Sequence, residues 1–201
     1  CALPILHLKC SMLNKMPGLG IDKFRNLMAG YAFMIGHPGK KLLFMGQEFA
    51  QLREWSEERE LDWYLLEHPE HLHIQSWVKA LLGLYRKNRA LYELDSSWGG
   101  FEWINANDAE RSIYSFIRKS RDGKNNLLFV INFTPMERED YRVGVPKKGS
   151  YRLLLDSDAV AFGGTGKTKK ENFFAEKKPC DQRPFSIRYP LSPYGIAVFR
   201  F

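Results

Sequence analysis

The period of the hydrophobic pattern changes near residue 95, and this change constrains the fold more than any other feature of the chain. Before it, DKFRNLMAGYAFMIG (22–36) and IQSWVKALLGLYRKNRALYEL (74–94) place their apolar residues at helical spacing. After it, apolar and polar residues alternate with a period of two, as in strands with one buried face. The chain is therefore predicted to have a helical first part and an all-β second part.

The segment between the two helices predicts a parallel sheet in the first part. HPG (37–39) is a helix stop signal, and KKLLFMG (40–46) follows it as a short continuous apolar run. Such a run is typical of a strand that is buried on both faces. A helix, a tight turn and a buried strand form half of a βαβ unit, which predicts an α/β fold.

The second part predicts an antiparallel sandwich or a small barrel, because several short strands are separated by turn signals. Gly, Pro, Asn and Asp residues supply these turns, as in RDGKNN and VPKKGS. The seven predicted strands are FEWINA (101–106), RSIYSFIRKS (111–120), NLLFVINF (126–133), YRVGVP (141–146), YRLLLDS (151–157), FSIRYPL (185–191) and GIAVFRF (195–201).

Composition favours an ordinary globular protein. Of the 201 residues, 44% are hydrophobic and 26% are charged, which excludes a disordered chain. The net charge is +7, but acidic residues lie among the basic ones, and no nucleic-acid-binding module is recognisable. No apolar stretch is long enough to span a membrane. We therefore predict no nucleic-acid partner and no membrane partner.

The cysteines and histidines predict neither a disulfide nor a metal site. Cys1, Cys10 and Cys180 are odd in number and form no CxxC pair, which favours reduced thiols and a cytoplasmic location. His68, His71 and His73 are close in sequence, but Pro69 is predicted to interrupt a helix there and to leave them in a surface loop.

AFGGTGKT (161–168) has the spelling of a nucleotide-binding phosphate loop. Such a loop works because it joins a buried strand to a helix whose N-terminal amides bind the phosphate. The sequence after Thr168 lacks helical periodicity and soon reaches Pro179. The glycines are therefore predicted to be turn residues, with no nucleotide partner.

Several long motifs occur in order along the chain. The most specific is FMGQEFAQLREW (44–55), followed by LDW (61–63). The others are HLKCSMLNKMPG (7–18), HPGKKLLFMG (37–46), NRALYELD (88–95), GFEWI (100–104), VINFTPMEREDYRVGVPKKGSYRLLLDSD (130–158) and FGGTG (162–166). In these motifs the chain closely resembles the C-terminal part of the 1,4-α-glucan branching enzymes of the α-amylase superfamily.

The resemblance implies an architecture and a set of boundaries. Residues 7–94 would be the last part of a (β/α)₈ barrel, with KLLFMG as its eighth strand, and residues 95–201 would be the β-sandwich domain that follows. Residues 1–6, CALPIL, do not match and are interpreted as foreign sequence. We expect residues 1–94 to be poorly stable alone and the sandwich to fold independently.

The resemblance also implies a reaction without a cofactor. A branching enzyme cleaves an α-1,4-glucan and transfers the released segment to a 6-hydroxyl, forming an α-1,6 branch by a retaining mechanism with two carboxyl groups. The nucleophile and the acid/base would lie upstream of residue 1. Leu3 occupies the position of the family's third carboxylate, so we expect the chain alone to be inactive.

Sugar-binding residues are expected in the segment that follows the predicted eighth strand, because amides, charged groups and aromatic rings gather there. The candidates are Glu48, Gln51, Arg53, Glu54, Trp55, Asp62 and Trp63. Two other interpretations stay open: Glu48 and Arg53 could form a structural ion pair, and Trp63 could belong to the core. Lys9 could face the cleft or the solvent.

Two non-enzymatic functions also stay open. The second part could be a carbohydrate-binding module, which an exposed aromatic row would favour, or a purely structural domain that glucan does not retard in a gel. Burial at the junction between the two parts is the favoured fate of Trp98, Phe101 and Trp103.

Overall fold

A computed structural model describes residues 10–201, which form two α-helices and eight β-strands connected by loops and short 3₁₀ turns. Helix α1 spans Ile21–Gly36 and helix α2 spans Pro69–Lys87. The strands are β1 Phe101–Asn105, β2 Ile113–Arg118, β3 Leu127–Asn132, β4 Arg138–Val145, β5 Ser150–Asp156, β6 Asn172–Phe174, β7 Phe185–Leu191 and β8 Ile196–Arg200.

Both predicted helices form, and each buries the side chains that its period places on one face. Leu27, Tyr31 and Ile35 of α1 are buried. Helix α2 starts five residues earlier than predicted, because Pro69 occupies its first turn instead of interrupting it. A proline is tolerated there because the first-turn amides have no partner within the helix.

All strand pairs are antiparallel, and they form two sheets. The larger sheet has the order β1-β2-β3-β8-β5-β6, and β4 pairs with β7 in a separate two-stranded sheet. The seven predicted strands are confirmed, with ends that differ by a few residues. The short β6 was not predicted, since its three residues are too few to show a period.

The predicted strand over 40–46 is wrong for this chain. Residues 40–44 form no strand, and the side chain of Leu42 is 76% exposed. A strand is defined by its ladder of hydrogen bonds to neighbours. The structure provides no neighbouring strand for this segment among residues 10–201, and no barrel remnant is evident there.

The larger sheet lies between two hydrophobic cores because its central strands are buried on both faces. Leu128 and Val130 of β3 pack towards the two-stranded sheet. Phe129 and Ile131 of the same strand pack on the opposite face, against the side chains of α1 and α2, which include Trp77. The order of layers is therefore helices, six-stranded sheet, two-stranded sheet, and residues on both sides of position 95 share one core.

Arg118, at the end of β2, joins the helical layer to this sheet. Its side chain is fully buried and donates hydrogen bonds to the carbonyl oxygens of Gly36 (2.7 Å), Leu91 (3.1 Å) and Gly100 (3.3 Å). It also forms an ion pair with Asp95. Burial lowers the pKa of the guanidinium, and the bond to Asp95 opposes this effect.

Candidate functional site

The segment after residue 43 folds into a compact turn. A 3₁₀ turn, Gln47–Phe49, lies between Gly46 and Ala50, which both have positive φ angles (84° and 59°). The Gln51 amide donates to the Gly46 carbonyl oxygen (2.9 Å), which closes the turn. A side chain at Gly46 would press against Gln51, at 3.0 Å.

Both helices hold this turn in place. The Tyr31 hydroxyl of α1 donates to the carbonyl oxygen of Gln47 (2.8 Å). Nδ1 of His71, near the start of α2, lies 2.8 Å from the carbonyl oxygen of Phe49. Burial raises the pKa of the Tyr31 hydroxyl, with a further contribution from Glu48.

Three of the predicted residues bond to one another. Asp62 is 2% exposed and forms a two-pronged ion pair with Arg53, of which the Nε–Oδ2 bond is 2.8 Å long. The Gln51 side chain accepts a bond from the Asp62 amide (2.9 Å) and donates to the Arg53 carbonyl oxygen (3.1 Å). The bonds from Arg53 lower the pKa of Asp62. Arg53 therefore pairs with Asp62, and the interpreted Glu48–Arg53 pair is wrong.

Four of the seven predicted residues line one small cavity of about 60 Å³, which we call the turn cavity: Gln51, Arg53, Glu54 and Trp55. The ring of Trp55 meets that of Phe44 edge-to-face, with 5.3 Å between centroids. Oε1 of Glu54 is buried and has no hydrogen-bond partner within the described part of the chain. An unpaired acceptor beside an aromatic ring is suited to a ligand with hydroxyl groups.

The turn cavity also has walls that the sequence did not single out. They include Lys15, Phe44 and Gln47. Lys15 lies in the KMPG part of the motif HLKCSMLNKMPG, and this motif was the sequence signal that could have identified it. The other two lie in FMGQEF itself, where sequence alone does not tell an inward side chain from an outward one.

The remaining predicted residues lie elsewhere. Glu48 faces a groove along α2 that also contains Lys79. The side chain of Trp63 is 50% exposed and packs on Phe49 with 5.0 Å between ring centroids, so it is not a core residue. Leu3 and Lys9 lie outside the described residues.

The prediction that the three neighbouring histidines lie in a surface loop is wrong, because they lie at the start of α2. His68 immediately precedes the helix, and His71 and His73 lie in it. His71 is buried and bonded to the main chain, as described above. No group of three metal-binding side chains occurs within residues 10–201.

The glycine-rich segment is a turn between β5 and β6 and does not lead into a helix. The Asp158 carboxylate accepts bonds from the Thr165 amide (3.0 Å) and hydroxyl (2.6 Å), and the Asp158 carbonyl oxygen accepts one from the Gly166 amide (2.7 Å). These donors are thus already used within the turn. The helix N-terminus that a phosphate loop requires is not found at this place in the structure.

The predicted burial of Trp98 is wrong. Its side chain is 98% exposed on a 3₁₀ turn, where the Ser97 hydroxyl oxygen accepts a bond from the Gly99 amide (3.2 Å). Phe101 is partly buried against the helical layer, and Trp103 is 37% exposed on the edge strand. The turn that Ser97 caps exposes Trp98 to solvent instead.

Comparison with known proteins bears on both parts of the chain. Residues 103–201 match the family model of the α-amylase C-terminal all-beta domain. Over 98% of its length the chain is 55% identical to the 1,4-alpha-glucan branching enzyme GlgB of Butyrivibrio fibrisolvens and 47% identical to that of Aquifex aeolicus. The chain is thus similar over nearly its whole length to 1,4-alpha-glucan branching enzymes. The resemblance predicted from the motifs is thus confirmed, and the chain covers 31% of each of these two relatives.

Two solved structures share the fold at low sequence identity. AmyP in complex with maltose superposes with a TM-score of 0.61 at 15% identity, covering 89% of this chain and 35% of AmyP. The γ-CGTase of alkalophilic Bacillus clarkii gives 0.56 at 15% identity, covering 89% of this chain and 23% of that enzyme. Within residues 10–201, no helix is long and apolar enough to cross a membrane.

Proposed function

We propose that this chain is the C-terminal part of a 1,4-α-glucan branching enzyme, which transfers a cleaved α-1,4-glucan segment to a 6-hydroxyl and so forms α-1,6 branches in glycogen. The observation that carries the proposal is the match of 98% of the chain to branching enzymes at 55% and 47% identity. The match includes both the turn cavity and the sandwich. A cytoplasmic location is part of the same proposal.

Within the whole enzyme, residues 7–94 would complete a (β/α)₈ barrel and residues 95–201 would form the domain packed on it. The exposed apolar side chains of the first part support this division, since Leu19, Leu42 and Met45 are all more than half exposed. Upstream barrel strands would pair with residues 40–46 and cover these side chains. The segment would then adopt the strand that it lacks in this chain.

The turn cavity is the proposed place of contact with α-glucan. Glu54 and Trp55 are its available groups, because Gln51 and Asp62 are committed to internal hydrogen bonds. Arg53 holds Asp62 on one side and reaches the cavity on the other. Gln51, Arg53 and Asp62 thus position the segment, and Glu54 and Trp55 bind the sugar.

Replacing Trp55 by alanine tests this contact in native gels that contain amylose. We expect amylose to retard the parent chain and to retard Trp55→Ala much less, because a sugar ring loses its aromatic platform. Trp98→Ala removes the same side chain from an exposed turn and should behave as the parent. Equal retardation of the parent and Trp55→Ala, or a loss confined to Trp98→Ala, would contradict a contact at the turn cavity.

The isolated chain should not form branches, since in the proposal the reacting carboxyl groups belong to upstream strands. Incubation with amylose should therefore leave the iodine absorbance unchanged and yield no α-1,6 linkages by proton NMR. A whole relative from the same family serves as the positive control. Branches formed by the purified 201-residue chain would show that the reacting carboxyl groups do not all belong to upstream strands.

A further inference from the structure

A second cavity lies between α1 and the glycine-rich turn, and the proposed function does not use it. Its volume is about 190 Å³, and it is built by α1 and by the turns around β4, β5 and β8. We call it the interlayer cavity. The lining side chains that matter for its chemistry are Arg25, Glu137, Asp158, Phe162, Lys167 and Tyr194.

One wall is the glycine-rich turn, and its shape is fixed before any ligand arrives. Gly163 has a φ of 77°, and a Cβ atom there would lie 2.5 Å from Nδ1 of His73. A Cβ atom on Gly164 would collide with the main chain of Asp158. Together with the Asp158 bonds described above, these contacts hold the turn in one conformation. Preformed walls of this kind are typical of small-molecule sites.

The opposite rim contains a strained residue. Tyr194 has a φ of 50°, which is uncommon for a residue other than glycine, and its side chain is buried. Its amide donates to the Thr134 carbonyl oxygen (2.9 Å), which keeps it in this conformation. Strained backbone persists where the surroundings impose it, and it is concentrated at binding sites.

The charges around the cavity favour a neutral ligand. Lys167 forms an ion pair with Glu137 at the rim, and Asp158 adds a second carboxylate. Arg25 supplies a second cation and forms no ion pair with a carboxylate within residues 10–201. Two cations and two carboxylates balance, so a phosphate group would meet repulsion as well as attraction. A ligand with hydroxyl groups can both donate to Glu137 and accept from Arg25.

The aromatic rings and the volume of the interlayer cavity limit the chemical class of the ligand further. Phe162 and Tyr194 provide apolar surface beside the charged groups, as sugar-binding sites require. The edge-to-face contact of Phe162 with Trp77, 5.0 Å between centroids, fixes its ring. The volume lies below the range of about 300–1,000 Å³ of larger ligand pockets, which favours a single ring.

We propose that the interlayer cavity binds one glucosyl unit of an α-1,4-glucan chain. The choice of glucose rests on the proposed function, whereas the preference for a neutral, hydroxyl-bearing ring rests on the cavity itself. Arg25, Glu137 and the ammonium group of Lys167 would bond the hydroxyl groups, and the rings of Phe162 and Tyr194 would contact the apolar face of the sugar. The turn whose sequence resembles a phosphate loop would thus hold a sugar.

Amide chemical shifts of the ¹⁵N-labelled 201-residue chain test this site by position. Maltotriose should shift the amides of Gly163, Gly164 and Thr165 in a saturable way. Arg25→Ala and Lys167→Ala should each weaken this binding about tenfold, the effect of one hydrogen bond to a charged group. Lys23→Ala on the same helix and Lys169→Ala on the same loop are matched controls and should leave it unchanged. If Arg25→Ala unfolds, Arg25→Lys replaces it, because this variant keeps the positive charge and loses the planar guanidinium group.

The possible outcomes separate this inference from the proposed function. Shifts confined to residues 46–55 would overturn the interlayer site and leave the turn cavity in place. Shifts at residues 163–165 without shifts at 46–55 would support the interlayer site and count against the turn cavity. Shifts at residues 163–165 with inorganic phosphate but not with maltotriose would show an anion site and overturn the proposal.

Discussion

Arg118→Ala should cause the largest loss of stability of any single substitution in the described part of the chain, about 3–5 kcal/mol, the usual result of breaking a buried ion pair. The variant leaves the Asp95 carboxylate without its partner. It also leaves the carbonyl oxygens of Gly36 and Leu91 without the donors that they have now, whereas that of Gly100 keeps its bond from the Lys119 amide (2.9 Å). Each unpaired buried acceptor adds its own desolvation cost. Urea unfolding followed by tryptophan fluorescence measures the loss.

Two further variants show that the geometry of Arg118 matters and not only its charge. Arg118→Lys should recover only part of the loss, because an ammonium group cannot reach three carbonyl oxygens and a carboxylate in the way that a planar guanidinium does. Arg152→Ala removes an arginine from an exposed pair with Glu171 and should change stability by less than about 1 kcal/mol. If Arg118→Ala were as stable as Arg152→Ala, the link between the layers would have no energetic importance.

Arg118 also illustrates why the sequence predicts the strands better than the contacts between layers. RSIYSFIRKS places Phe116 and Arg118 on the same face, and the period alone predicts β2. Whether an arginine on an apolar face is buried depends on carbonyl groups that come from residues 36, 91 and 100. Those carbonyl groups are distant from Arg118 in sequence, and no local pattern predicts their contact with it.

The segment 40–46 illustrates the opposite case, in which a strong local pattern predicts too much. KLLFMG has the composition of a buried strand, but an apolar run becomes a strand only where another strand supplies hydrogen bonds. The candidate site shows the same limit. The motif predicts residues 44–55 as the candidate segment, whereas the bonds that join Gln51, Arg53 and Asp62 are visible only in the structure.

The chain that begins at residue 95 should not retain the stability of the whole chain, although the strand pattern alone predicts an independent sandwich. Removing residues 1–94 uncovers the face of the larger sheet that α1 and α2 now cover. The uncovered side chains are Phe116, Leu127, Phe129, Ile131, Ile196 and Val198. Burial of each contributes about 1.5–3 kcal/mol, so the combined loss is comparable with the whole stability of a typical domain, about 5–15 kcal/mol.

Thermal unfolding and binding of a hydrophobic dye distinguish the two expectations for residues 95–201. We expect this piece to bind the dye strongly and to lack a cooperative transition, because its exposed apolar face exceeds what monomeric domains tolerate. A chain that lacks only residues 1–9 keeps both helices and is the matched control. A cooperative transition of the piece close to that of the control, without dye binding, would mean that the two-stranded sheet and the larger sheet suffice. In that case the helices would contribute to the candidate site but not to the stability of the sandwich.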